Sequence, residues 1–404
     1  MDGAVSRLVG QQLNALGPLF TFFTQSPWAR HKSEPDACDF AFGNPHDPGV
    51  PGFAEALRTW SEPRNKDWFA YKDSEPAAQE TVAASLRERT GVAYQLEDVA
   101  MTNGAFAGLA VALKTVADPG DEVIYSIPPW FFYEAIVAGV GAVPVRIAVR
   151  PGTFDLDLDA ITTAITPRTR AIIVNSPNNP TGRIYDADQL RALGEILTQA
   201  SARNGRPIYL VSDESYCRIV YDGRACPSPT AFYPCSFLIY TYGKTLLTPG
   251  QRLGYVAISP QMPDRETVRN AVIVAQFMTG YAFPNALMQY ALADFEPLSI
   301  DVGRLQKRRD RVVTSLQEAG YETVKPEGTF YVLTRSPEPD DTAFTERLAA
   351  REVYVLPGSL FDLPGWFRIS LTASDQMFER GLPVFAEVYR AVAAERHANS
   401  LAAV

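Results

Sequence analysis

Basic charge, histidine, cysteine and long apolar runs are all scarce in this sequence. Its 404 residues carry 37 Lys plus Arg against 46 Asp plus Glu, a formal net charge of -9. Nucleic-acid phosphates select basic surfaces, so no nucleic-acid partner is expected. The three histidines, His31, His46 and His397, give no HExxH spacing, and no metal site is expected. The four cysteines, Cys38, Cys217, Cys226 and Cys235, show neither CxxC nor zinc spacing. In a chain of this length they read as reduced thiols of a cytoplasmic protein. No apolar run approaches the ~20 residues that a membrane helix requires. Residues 1–10 lack the basic start and apolar centre of a signal peptide. The expectation is a cytoplasmic protein without a membrane partner.

What is present suits a soluble globular protein. The chain is 46% apolar and 21% charged, with room for one large domain and one smaller one. Between about residues 100 and 260, apolar runs alternate with helical patterns. Strands are expected at 99–102, 122–127, 142–147, 171–175, 207–212, 237–241 and 254–259. Helices are expected at 106–115, 132–140, 157–165 and 186–202. This rhythm predicts an α/β fold: a three-layer, mainly parallel, seven-stranded sheet with helices on both faces. The last third reads as a smaller α+β unit. Its expected helices lie at 300–319, 341–350 and 374–396, with short strands at 329–333, 353–356 and 367–371. The basic run Arg304, Lys307, Arg308, Arg309 and Arg311 is expected to form a solvated helix face. Residues 1–50 hold Phe20, Phe22, Phe23 and Trp28 but little strand pattern. They are expected to pack on the C-terminal segment, so that 51–300 form a large domain and 1–50 with 301–404 a small one.

The chemistry concentrates at the carboxyl ends of the expected strands, where α/β sheets place their ligands. Lys244 follows the apolar run that ends in Tyr240-Thr241-Tyr242-Gly243. A lysine amine shielded from bulk water condenses with an aldehyde to a Schiff base. Arg252, in Gly250-Gln251-Arg252-Leu253-Gly254, could hold a phosphate bidentately. An aldehyde and a phosphate on one small molecule describe pyridoxal 5′-phosphate. Asp213 ends another apolar run, and a carboxylate there needs a partner such as a protonated pyridine nitrogen. The alternative for Asp213 is a helix N-cap. Tyr216 and Asn179 could both reach a phenolic ring oxygen. Gly104, Ala105 and Phe106 open a helix whose backbone N–H groups could face an anion. Trp130 could stack on a flat ring or simply fill the core. Arg368 sits inside an apolar strand and suggests either a carboxylate clamp or a structural ion pair.

In their order along the chain, these segments resemble the class I/II aminotransferases, the aspartate-aminotransferase-like proteins of pyridoxal-phosphate fold type I. The resemblance rests on Asn179-Pro180-Thr181-Gly182, the Asp213 and Tyr216 pair, and Lys244 with Arg252. It implies Lys244 as Schiff-base lysine and proton carrier, with Asp213 on the pyridine nitrogen and Asn179 and Tyr216 on the ring oxygen. It implies Thr241, Arg252 and the backbone of Ala105 and Phe106 on the phosphate, Trp130 over the ring, and Arg368 on the substrate carboxylate. Gly43 would line the carboxylate end. Tyr71 would reach the phosphate of a neighbouring subunit, which implies a homodimer.

The chain departs from the family at Thr241, where serine is common, at Gly243, and in the Asp73-Ser74-Glu75-Pro76-Ala77 stretch after Tyr71. The implied activity is amino transfer between an L-amino acid and a 2-oxo acid. The alternative is a pyridoxal-phosphate-dependent biosynthetic reaction without net transamination: an oxidase, hydroxylase, lyase or cyclase. A non-catalytic binding module is a third reading, and the chain has no helix-turn-helix segment to support it. Tyr281, His31 and the first fifty residues are candidates for reading the substrate side chain. No cationic residue for a dicarboxylate side chain stands out, which disfavours aspartate as the donor.

Overall fold

A computed structural model describes residues 3–402, so the two ends of the expected small unit, 1–2 and 403–404, lie outside the described residues. One sheet has seven strands in the order Val99–Thr102, Gly254–Ile258, Ser236–Thr241, Tyr209–Asp213, Thr169–Asn175, Glu122–Ile127, Val143–Ala148. The strand Gly254–Ile258 runs antiparallel to both its neighbours. The pairings from Ser236–Thr241 outward to Val143–Ala148 are parallel.

Alternation along the strands splits the core in two. Phe237 and Ile239 face one apolar cluster, and Leu238 and Tyr240 face the other. The first cluster is closed by the helices Gly104–Val116, Tyr133–Gly139, Ala187–Asn204 and Arg265–Thr279. The second is closed by Phe53–Ser61, Pro76–Thr90 and Leu292–Phe295. A strand covered on both faces reads as a near-continuous apolar run, as Phe237 to Tyr240 do within Ser236–Thr241, which is buried throughout.

A second, antiparallel sheet has the order Leu356–Pro357, Trp366–Ser370, Tyr331–Arg335, Thr323–Val324. Helices Val302–Ala319 and Asp375–Ala402 cover it. The first residues form the helices Arg7–Ala15, Gly17–Gln25 and Pro27–His31. They are followed by the strand Cys38–Asp39, which pairs parallel with Val353–Tyr354. Trp28 packs with Tyr354 and donates from Nε1 to Asp39 Oδ1 at 2.9 Å.

Two expectations need correction. The expected strand at 353–356 is broken into Val353–Tyr354 and Leu356–Pro357, which join different sheets. The basic helix face is not solvated throughout. Arg309 is fully buried, holds Asp222 through two 2.8 Å bonds and lies over the Tyr221 ring at 4.5 Å. Arg308 is buried between Asp375, Asp47 and the Leu371 carbonyl. A planar guanidinium stacks and bonds at the same time, so it enters an interior that a lysine ammonium would leave.

Candidate active site

Five of the parallel-running strands end at one edge of the large sheet, and the turns that follow them meet in a cleft. The cleft is lined by Ala105, Phe106, Trp130, Asn179, Asp213, Tyr216, Thr241, Lys244 and Arg252. Gly254 pairs with both Thr102 and Thr241. Because its strand is reversed, its amino end lies at this same edge, and Arg252 is delivered there from the opposite chain direction.

Asp213 is the last residue of its strand and is buried. Its Oδ2 accepts from Tyr133 Oη at 2.6 Å, and its Oδ1 accepts from Ser215 Oγ at 2.6 Å and Ser215 N at 3.2 Å. Burial raises its pKa above the ordinary carboxylate value, and the bonds from Ser215 and Tyr133 oppose that rise. The N-cap alternative does not hold, since a turn and not a helix follows Asp213.

Asn175 joins two of these turns. Its Oδ1 accepts from Asn179 N at 2.8 Å, and its Nδ2 donates to Asp213 O at 2.9 Å. Asn179 Oδ1 in turn accepts from Arg368 Nη1 at 2.9 Å. Arg368 comes from the second sheet and is only 2% exposed. Its Nη2 donates to Ala41 O at 3.1 Å, its guanidinium lies 3.8 Å over the Tyr331 ring, and its Nε has no partner.

Lys244 sits in the single turn Tyr242–Thr245, half-buried, with Nζ 5.6 Å from the Tyr216 ring centre and 5.8 Å from that of Phe330. Thr241 caps this turn: its Oγ1 accepts from Gly243 N and donates to Leu253 O at 3.2 Å. Arg252 is exposed, and its one hydrogen bond among the described residues goes to the Pro249 carbonyl; burial lowers the pKa of Arg368. Burial raises the Tyr216 phenol well above its usual value. Burial pushes Tyr331 up as well, but Arg368 and Lys244 outweigh it and hold that phenol below the ordinary tyrosine value.

Gly104 does not itself line the cleft, but its φ is +81° and a Cβ there would lie 2.6 Å from Arg252 Nη2. Gly43 presses on Tyr331, whose Oη would lie 2.7 Å from a Cβ. Trp130 packs edge-on against Phe106 and Tyr133. Tyr71 is not brought to this cleft: it is 87% exposed and its ring lies tilted against that of Phe283. Tyr281 packs at the rim of the large core, and His31 pairs with Glu34 in an exposed position.

Sequence reasoning did not single out Tyr133, Asn175, Ser215 or Tyr331. The signal for Tyr133 and Asn175 was proximity alone, because both lie inside motifs already read for Trp130 and Asn179.

The charges at this edge share one property. Asp213, Lys244, Arg252 and Arg368 form no ion pair with each other or with other described residues, whereas buried Asp98 and Glu214 elsewhere are paired with arginines. A site with one buried anion and several cations, each lacking a mate, fits a zwitterionic, phosphorylated ligand.

The sequence matches the family model "Aminotransferase class I and II" over residues 35–384. It is 33% identical over 321 residues to a Thermus aquaticus protein named "Probable aspartate/prephenate aminotransferase", covering 77% of this chain and 81% of that one. A solved amino transferase from Eubacterium rectale superposes with a TM-score of 0.88 at 29% identity, covering 96% of this chain and all of that one. The aspartate aminotransferase of Thermus thermophilus, solved with maleate, superposes with a TM-score of 0.80 at 27% identity, again over 96% of this chain and all of that one. The strand order, the edge at which the charged residues meet and these similarities agree: the chain belongs to the class I and II aminotransferase family.

Proposed function

We propose that this chain is a pyridoxal 5′-phosphate-dependent aminotransferase that moves an amino group between an L-amino acid and a 2-oxo acid. The observation that carries this reading is the set of unpaired charges at one sheet edge. Cofactor and substrate together offer a mate for each: a ring nitrogen for Asp213, a phosphate for Arg252, an aldehyde carbon for Lys244 and an α-carboxylate for Arg368. The names of the relatives favour transamination over a biosynthetic reaction without it.

In this reading Asp213 pairs with the pyridine nitrogen, and Asn179 and Tyr216 bind the ring oxygen. Arg252, Thr241 and the backbone from Gly104 to Phe106 hold the phosphate, and Trp130 covers the ring. When bound, the cofactor supplies a cationic ring that accepts the electrons of a broken Cα bond. Arg368 fixes the substrate carboxylate against Asn179, with the backbone of Gly43 beside it, and so sets which Cα bond faces Lys244. Lys244 would anchor the cofactor, and its Nζ would carry the proton between the substrate Cα and the cofactor's C4′. The half-buried setting of Lys244 limits competing exchange of that proton with water.

We also propose a homodimer. Tyr71, Phe69, Phe277, Met278 and Phe283 form an exposed apolar surface that a soluble monomer would rarely leave open. In the dimer Tyr71 would reach the phosphate of the other subunit. The cofactor-bearing unit would be 51–300, and the unit carrying Arg368 would be 1–50 with 301–404. No described helix is long and apolar enough to cross a membrane, and a cytoplasmic location is proposed with it.

An anaerobic absorption titration of the cofactor-loaded protein with a panel of amino acids tests the reaction. One amino acid should bleach the lysine-bound absorbance, and a 2-oxo acid should restore it. Recovery without any 2-oxo acid, or turnover that requires oxygen, would refute transamination.

A further inference from the structure

We propose that Tyr133 is a positioning residue for this reaction, its phenol holding the Asp213 carboxylate ionised and at a fixed rotation toward the cleft. This rests on the cofactor reading above.

Tyr133 is 3% exposed and opens the helix Tyr133–Gly139. Its N–H donates to Trp130 O at 3.0 Å, so one tight turn carries both the indole that lines the cleft and the phenol that meets Asp213. The two donors on Asp213 differ in kind. Ser215 lies two residues away and bonds Oδ1, a local turn contact. Tyr133 is 80 residues away and bonds Oδ2 at 2.6 Å. Only the second contact ties the carboxylate to the turn that carries Trp130. The titratable groups facing Asp213 are Tyr133, Tyr216 and Lys244. None of them forms an ion pair with it among the described residues. A buried carboxylate without a cationic partner drifts toward its neutral form, and a short phenol hydrogen bond opposes that drift.

The consequence concerns where a proton resides. With Tyr133 donating, Asp213 is a weaker base and leaves the proton on the ring nitrogen. Without that donor Asp213 becomes more basic and draws the proton toward itself. A core tyrosine whose hydroxyl merely parks on a convenient acceptor would affect stability but not this proton.

The test uses full-length protein loaded with ¹⁵N-labelled pyridoxal phosphate. Wild type is measured first: failure to bind the cofactor at all would overturn the underlying reading rather than this one. In Tyr133→Phe the ring ¹⁵N resonance should move toward the neutral pyridine position, and the cofactor dissociation constant should rise ~10-fold. An unmoved resonance with unchanged affinity would overturn the proposal, even if the melting temperature fell. Should Tyr133→Phe not fold, Tyr133→difluorotyrosine keeps the shape and strengthens the donor. It should tighten cofactor binding or move the resonance toward the pyridinium side, and no change in either would overturn the proposal.

Discussion

Arg368 Nη1 donates to Asn179 Oδ1 at 2.9 Å, joining the second sheet to the edge of the first across 189 residues of sequence. The guanidinium is buried, carries no carboxylate partner among the described residues, and is held flat by the Tyr331 ring at 3.8 Å. A buried cation kept in this state is costly unless an anion arrives to pair with it.

Arg368→Ala should therefore lower kcat/KM for the amino acid by ~100-fold or more while leaving cofactor affinity within about threefold. Arg368→Lys should recover little, since an ammonium cannot bond Asn179, Ala41 and a carboxylate in one plane. Steady-state kinetics with a separate cofactor titration checks both. An unchanged kcat/KM would remove Arg368 from the substrate site.

Gly104→Ala should weaken cofactor binding by ~10-fold. Its φ of +81° strains any L side chain, and the added Cβ would sit 2.6 Å from Arg252 Nη2 and push the guanidinium aside. Equilibrium dialysis of pyridoxal phosphate against the variant measures this. Wild-type affinity would mean that Arg252 does not hold the phosphate.

Much of this arrangement was legible in the sequence, because strand ends and turn residues are local features. The seven strands of the large sheet were read within about two residues of their observed bounds, and the residues that follow five of them converge on one cleft. What escaped were relations between distant segments. Tyr133 and Asp213 meet only because the strands Glu122–Ile127 and Thr169–Asn175 lie side by side and Tyr209–Asp213 pairs with the latter. The burial of Arg309 depends on Asp222 and Tyr221, which arrive from another part of the chain. Composition alone makes five cations on one helix look solvated, and only the fold reveals their partners. Tyr71 is exposed and does not line the cleft of its own chain, and no single-chain pattern can say what it touches.

The link between Asp375, Arg304 and Arg308 makes a small part of the stability dependent on acid pH. Arg304 and Arg308 hold the Asp375 carboxyl below the usual carboxylate range, against the opposing effect of burial. A depressed folded-state value contributes stability that is present above the unfolded value and lost as pH falls through the folded one. Wild type should thus lose stability below about pH 4 relative to Asp375→Asn. Near neutral pH that variant should be less stable by about 1 kcal/mol at most, because Asp375 is half exposed. Urea unfolding across pH gives the comparison, and parallel pH profiles would contradict it.

A shared site makes a complementation prediction. Lys244→Ala and Tyr71→Ala should each be nearly inactive as pure proteins. Mixed under conditions that exchange subunits, they should regain about a quarter of wild-type activity, since half the molecules would be hybrids with one intact site of two. No recovery in a mixture shown to contain hybrids would place Tyr71 outside the neighbouring site.

The central claim is that Lys244 anchors pyridoxal phosphate at the sheet edge where these unpaired charges meet. Borohydride reduction of the loaded protein followed by peptide mass spectrometry tests it most directly. The account predicts one stoichiometric phosphopyridoxyl group, on Lys244, and none in Lys244→Ala. A modification on any other lysine, or full labelling of the variant, would contradict it.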